Sequence, residues 1–107
     1  MEVIAEAIFD LANRSEKVTL RIFKPYLDEE FNGWSCIFEF SPPMKLSQSI
    51  HGESSLQALV LAVKMAASHL YGSDFYRAGQ LGVFGDFGGD LSIPAPSLFL
   101  DIAPYPF

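Results

Sequence analysis

The sequence predicts an α+β fold: an antiparallel β-sheet of three to five strands, one long helix packed on a face, and a C-terminal Gly/Pro-rich segment completing the core. Three observations carry this. Up to His51, apolar residues alternate with a period of two in several short runs. From Ser55 to Tyr71 the spacing changes to that of a helix. Beyond Gly72, the glycines at 79, 82, 85, 88 and 89 and the prolines at 94, 96, 104 and 106 punctuate the chain. The expected organisation is a single domain over 1–107, with a β-meander over 1–51, a helix over 54–72 and an irregular tail over 73–107.

Residues 2–11 place Val3, Ala5, Ala7, Phe9 and Leu11 on one side of a strand, and Asn13 to Glu16 read as a turn. Lys17 to Lys24 form a second strand, with Val18, Leu20 and Ile22 on one face, and Pro25 ends it by removing a backbone donor. Asp28 to Gly33 form a connecting loop whose Asn32-Gly33 pair tolerates positive φ. From Trp34 to Phe40 the residues Trp34, Cys36, Phe38 and Phe40 share a core face, and Pro42-Pro43 stops the strand. Residues 44–51 form a fourth strand, which completes a meander of consecutive antiparallel strands.

Ser54 and Gln57 fit a capping box at the start of the helix, with Gln57 reaching back to the Ser54 amide. Gly72 supplies a left-handed residue at its end. The expected core stripe is Leu56, Leu59, Val60, Val63, Ala67 and Leu70, with Ala58, Leu61, Ala62, Met65 and Ala66 on an apolar flank. Gln57, Lys64, Ser68 and Tyr71 mark the wet side. The helix is therefore expected to be covered on more than one face, by the C-terminal segment or by a second subunit. In the tail, 81–84 and 98–102 read as short extended pieces.

Composition sets the outer bounds. Half of the 107 residues are apolar and 14% are aromatic, so the chain can bury a core, and intrinsic disorder is excluded as a class. A domain of this size cannot hide all of that surface, which points to a subunit interface and a homo-oligomer. The formal net charge of −6 opposes nucleic-acid phosphates. Four of the seven basic residues (Arg14, Lys17, Arg21 and Lys24) fall close together, but Glu16 sits among them, as on a solvated sheet face. One cysteine requires no oxidising compartment, the N-terminus lacks the basic residues of a signal peptide, and no apolar run spans a bilayer. The expected location is the cytoplasm, without membrane contact.

His51 and His69 flank the helix at its two ends, too far apart to share an ion, and His69 reads as a partly buried structural residue. Cys36 sits on an aromatic strand face, where a thiol behaves as a small hydrophobe. The run from Gly82 to Asp90 lacks the Lys and Ser/Thr of a P-loop, the glycine spacing of a dinucleotide fingerprint and the dense acids of a calcium loop. No catalytic, cofactor-binding or metal-binding residue is assigned and no cofactor is expected. The candidate interaction residues are Asp28, Glu29, Glu30, Tyr71, Phe84 and Phe87.

The elements Asn32-Gly33-Trp34-Ser35-Cys36-Ile37-Phe38 and Ile50-His51-Gly52-Glu53-Ser54-Ser55-Leu56-Gln57-Ala58-Leu59 resemble a small family of uncharacterised bacterial domains. That family pairs a Trp-x-Cys strand with a helix opening on an acid followed by Ser-Leu-Gln-Ala-Leu. Here Ser54 stands at the position of the acid, or the acid is Glu53 in a shifted register. The resemblance covers roughly the first two-thirds of the chain and implies a bacterial, cytoplasmic, standalone or accessory domain, with no activity to transfer. The functional expectation is a non-catalytic protein-interaction domain that self-associates, one form being an immunity-type protein that neutralises a basic toxin. A rival is a small-ligand or enzymatic module with a pocket between helix and tail, drawing on His51, His69, Asp86 and Asp90. A third reading is a structural accessory subunit whose apolar tail docks on a larger protein.

Overall fold

The computed structural model describes residues 1–93. In chain order they form β1 (Val3–Leu11), β2 (Lys17–Phe23), β3 (Tyr26–Asp28), a 3₁₀ turn (Glu29–Phe31), β4 (Gly33–Phe40), β5 (Leu46–Gly52), α1 (Ser55–Tyr71), α2 (Asp74–Arg77), β6 (Leu81–Val83) and β7 (Asp86–Phe87). The strands make an open antiparallel sheet of seven in the order β3-β4-β2-β1-β6-β7, with β5 on β4, and α1 packs against it. The α+β class is therefore as expected, and β1, β2, β4 and β5 form the expected meander. The strand count is higher than three to five for two physical reasons. Pro25 cannot continue a ladder, so the extended chain after β2 restarts as a separate strand, β3. The glycine-rich stretch also folds a short hairpin, β6–β7. The expected extended piece at 98–102 lies outside the described residues.

Contacts among the described residues group into two compact units, one of residues 1–7 and 19–63, the other of residues 8–18 and 64–93. In the first, β4 is the organising strand. Its C-terminal half pairs with β2 (Leu20 opposite Phe40, Ile22 opposite Phe38), and its N-terminal residues pair with β3 (Leu27 opposite Trp34). Its whole length, from Trp34 to Phe40, pairs with β5. The core face carries Leu20, Ile22, Cys36, Phe38 and Phe40, all buried as their alternation predicts. Arg21, on the opposite face, lies 2.9 Å from Glu6 and 3.7 Å from Glu39.

In the second unit, Asp10 and Leu11 pair with Gly82 and Leu81 of β6. This pairing corrects the reading of β1. Only Phe9 and Leu11 of the expected core side are buried, whereas Val3 is 42% exposed. The strand enters a core where β6 flanks it, and β6 is only three residues long. Here Lys17 pairs with Asp10 at 2.6 Å, Arg14 pairs with Glu16 at 3.4 Å, and the Arg14 guanidinium lies over the Phe75 ring. Three of the four clustered bases are thus each beside a carboxylate.

The helix α1 keeps its predicted bounds, and of its predicted stripe only Ala67 and Leu70 are buried. The buried positions are Ala58, Ala62, Ala66, Ala67, Leu70 and Tyr71, whereas Leu56 is 67% exposed and Val60 42% exposed. The small residues at 58, 62 and 66 form an i, i+4 row that lets a helix backbone come close to its neighbour, where larger aliphatic side chains would hold it away. The contact at Gly52 shows how close: a Cβ there would fall 2.6 Å from the Ala58 nitrogen. Ser54 Oγ accepts from the Gln57 amide at 3.0 Å, as a cap should, but Gln57 Oε1 reaches one residue further back than expected, to the Glu53 amide at 2.6 Å. Gly72 is not among the residues with positive φ. Ser73 closes the helix instead: its hydroxyl donates to the Leu70 carbonyl at 2.7 Å and accepts from the Tyr76 amide at 3.2 Å, starting α2.

This arrangement sets a contrast for mutagenesis. Ala62→Leu should lower stability by about 1–3 kcal/mol through overpacking, and Leu56→Ser should change it by less than about 0.5 kcal/mol. Urea unfolding of both variants checks the pair, and the order would be the opposite if the larger aliphatics formed the core stripe.

Candidate functional site

Two groups of side chains stand out, one in each unit. The first comes from the ends of β3, β4 and β5. The ladder places Tyr26, Ser35 and His51 side by side on the sheet face opposite Cys36. Ser35 is wholly buried, the only buried polar or charged residue among those described. Its Oγ lies 2.8 Å from Asp28 Oδ2 and 2.7 Å from His51 Nδ1. A hydroxyl has one proton, and here it goes to the carboxylate. His51 must therefore donate its Nδ1 proton to Ser35 Oγ, which leaves Nε2 as the ring's second polar atom. Asp28 also accepts from the Glu30 amide at 3.2 Å, which fixes the 3₁₀ turn, and Asn32 ends that turn at φ 51°. The turn lays Phe31 over His51, with ring centroids 3.9 Å apart.

The residue types are those of a serine-nucleophile triad, but the order differs. In that chemistry a histidine stands between serine and acid and removes the serine proton. Here the serine stands between, its proton held by Asp28, with no exposed surface from which to attack. The row holds the His51 ring in place and supports Phe31, itself 55% exposed. Glu29 and Glu30, two of the candidate interaction residues, are exposed beside it, whereas Asp28 is partly buried and serves the row. Sequence reasoning missed Ser35, on the strand face opposite the expected core, because Asp28 and His51 reach it only through pairing between distant segments.

The second group is the β6–β7 hairpin. Val83 pairs with Asp86, so Phe84 and Gly85 form a two-residue loop with φ of 51° and 79°. Positive φ at both loop positions is the type I′ pattern, which favours Asn-Gly and strains a bulky side chain. Phe84 is nonetheless there and is 97% exposed, and Phe87 is 38% exposed. Asp10 supports the tip. Its hydrogen bond from Lys17 holds its carboxyl below the usual carboxylate range, and the Gly85 and Phe84 amides add to the effect.

Tyr71, expected on the wet side, is fully buried and belongs to the core of this unit. It donates to the Ile93 carbonyl at 2.6 Å, accepts from the Leu91 amide at 3.3 Å and meets Tyr76 edge-on at 5.0 Å. Burial, and after it the charge of Asp90, raises both phenols' pKa. Tyr76 donates to the carbonyls of Gly88 and Gly89 at 3.2 and 3.0 Å, anchoring the glycine-rich stretch. Asp90 accepts from the Ser92 amide at 3.0 Å in a local turn.

Of the residues considered for a pocket, His51 is in the first unit and His69, Asp86 and Asp90 are in the second. The tail beyond Ile93 that would close the pocket lies outside the described residues. The hollow that the second unit does show is open and lined by Tyr76, Arg77, Gly79 and Gly88. Among the described residues, no three His, Cys, Asp or Glu side chains gather as a metal site, and no helix is long and apolar enough to cross a membrane. Burial raises the Cys36 pKa, and its thiol donates to the Phe23 carbonyl at 3.3 Å.

Two outcomes follow from these geometries. Ser35→Ala leaves Asp28 and His51 without their shared partner and should cost about 1–3 kcal/mol of stability by denaturant unfolding. Burial lowers the His69 pKa from 6.5, so the unfolded chain binds a proton there more readily than the folded one. That contribution to stability is intact above pH 6.5 and is lost as the pH falls below it toward the lowered value. Unfolding at pH 7.5 and pH 5.5, about a unit either side, should show a smaller acid-side loss in His69→Gln than in the parent.

A family model described as a domain of unknown function (DUF6968) matches residues 5–95. No curated protein and no solved structure matches the chain. The match takes in both groups of side chains described above, and the chain belongs to this family of domains of unknown function.

Proposed function

We propose that the chain is a non-catalytic protein-interaction domain whose contact surface centres on Phe84. The observation that carries this is a large aromatic side chain, 97% exposed, at a loop position whose backbone disfavours it. A left-handed backbone under a bulky residue costs about 1 kcal/mol or more, and such strain concentrates at functional positions. Exposed aromatics on a firm support are the anchors from which interfaces draw most of their binding energy. Phe87, at the other end of the tip, enlarges the apolar contact, and Asp86 gives it an acidic flank. What supports a non-catalytic reading is the Asp28–Ser35–His51 row, in which the hydroxyl is buried and its proton already engaged.

The net charge of −6 and the exposed Glu29 and Glu30 favour a basic partner, and an immunity-type neutraliser of a basic toxin is one form of that reading.

Phe84→Asn separates binding from stability. Asn suits the left-handed position, so the variant should gain roughly 1 kcal/mol, seen as a higher melting temperature. A photo-reactive benzoylphenylalanine at position 84, introduced in the producing cells, should give a discrete heavier adduct that the same probe at Ser92 does not. Absence of that adduct, with no gain in stability for Phe84→Asn, removes the proposal.

A further inference from the structure

We infer that two copies of the chain pair edge to edge through β5, antiparallel, about a two-fold axis at Ser49. The inference goes beyond the proposed surface at Phe84, because it rests on a different strand and a different partner.

Among the described residues β5 pairs with β4 alone. Its seven residues, Leu46 to Gly52, keep an unbroken register with β4 and contain no proline and no Lys, Arg, Asp or Glu. Native sheets usually blunt an edge with a charge, a proline, a bulge or a very short strand. None of these is present on β5. An edge left in this form is a template for another strand.

The backbone sets which groups face outward. The Ser41 amide donates to the Thr19 carbonyl at 2.9 Å, so Ser41, and with it Glu39 and Ile37, turns its backbone groups toward β2. Backbone direction alternates along a strand, so Phe40/Leu46, Phe38/Gln48, Cys36/Ile50 and Trp34/Gly52 are the hydrogen-bonded pairs of β4 with β5. Leu46, Gln48, Ile50 and Gly52 therefore turn their backbone groups toward β4, and Ser47, Ser49 and His51 turn theirs toward the open edge.

Charge selects the occupant and the register. Lys45 and Glu53 bracket the strand, both exposed and each four residues from Ser49. Antiparallel pairing centred on Ser49 sets Ser49 against Ser49, Ser47 against His51, and Lys45 against Glu53 of the second copy. Every outward-facing pair then joins a donor to an acceptor or a base to an acid, and the ion pair occurs twice by symmetry. The same alternation makes these the hydrogen-bonded pairs, so the outward amides and carbonyls of each copy meet those of the other. The exposed first half of β1 offers no such match, because its charges are Glu2 and Glu6.

The test uses the full chain. At the axis the two Ser49 Cα atoms stand about 5.5 Å apart, within disulfide range, whereas the two Ser47 residues lie well apart. Ser49→Cys should therefore oxidise to a covalent dimer in high yield and Ser47→Cys should not, the native Cys36 being buried. By light scattering over a dilution series, Lys45→Glu should weaken the dimer roughly tenfold, and Lys45→Glu combined with Glu53→Lys should restore it. A dimer that persists without the Ser49 cross-link and without charge rescue overturns the β5 register. A monomer at every concentration overturns self-pairing altogether, and neither result touches the binding proposed at Phe84. Selective capture of an extended peptide by β5, with no self-pairing, would also overturn the inference.

Discussion

Backbone hydrogen bonding by β4 is the constraint on which the first unit depends. One strand serves three partners: β2 and β3 in succession along one edge, and β5 along the whole of the other. The succession on one edge follows from Pro25, which interrupts the chain between β2 and β3. The interruption also sets where polar chemistry appears. Beyond it, β3 brings Asp28 to the end of β4 where β5 delivers His51, and Ser35 lies between them. The polar row is thus a product of strand register: a slip of one residue in β4 would exchange Ser35 for the aromatic or thiol side chains of its other face.

Much of the architecture was legible in the sequence because alternation is a local signal. The strands at Lys17–Phe23 and Gly33–Phe40, and the helix at Ser55–Tyr71, appear in the structure within a residue or so of their expected limits. The helix face was not legible, for a particular reason. Leu56 and Val60 are more hydrophobic than Ala58 and Ala62, so a stripe ranked by hydrophobicity selects them. The fold instead buries the small residues, and at Gly52 the chain lies against the Ala58 backbone with no room for a Cβ. Steric fit overrides transfer energy there.

The candidate site was legible only in part. Phe84 and Phe87 could be identified as apolar residues in a glycine-rich run, and the structure exposes both. Tyr71 could not be placed correctly, because the partners of its hydroxyl, Leu91 and Ile93, lie some twenty residues away. The Asp28–Ser35–His51 row fails the same way: its members are separated by 7 and 16 positions, and no local pattern joins them. The hairpin strain at Phe84 did leave a trace, since an aromatic followed by glycine occupies the place where Asn-Gly is favoured. Acidic loop residues divide by role in the same manner. Asp28 is spent on the row, while Glu29 and Glu30 face water.

The single thiol of Cys36 has a use of its own. It lies in the middle of β4, fully buried, with its proton donated to the Phe23 carbonyl. A small alkylating reagent can reach it only when the pairing around β4 opens, because burial both covers the sulfur and keeps it from ionising. The rate at which the thiol is modified in the native protein therefore measures how often that strand separates from its neighbours. The chain carries one chemical clock, set in the part of the sheet on which the others depend.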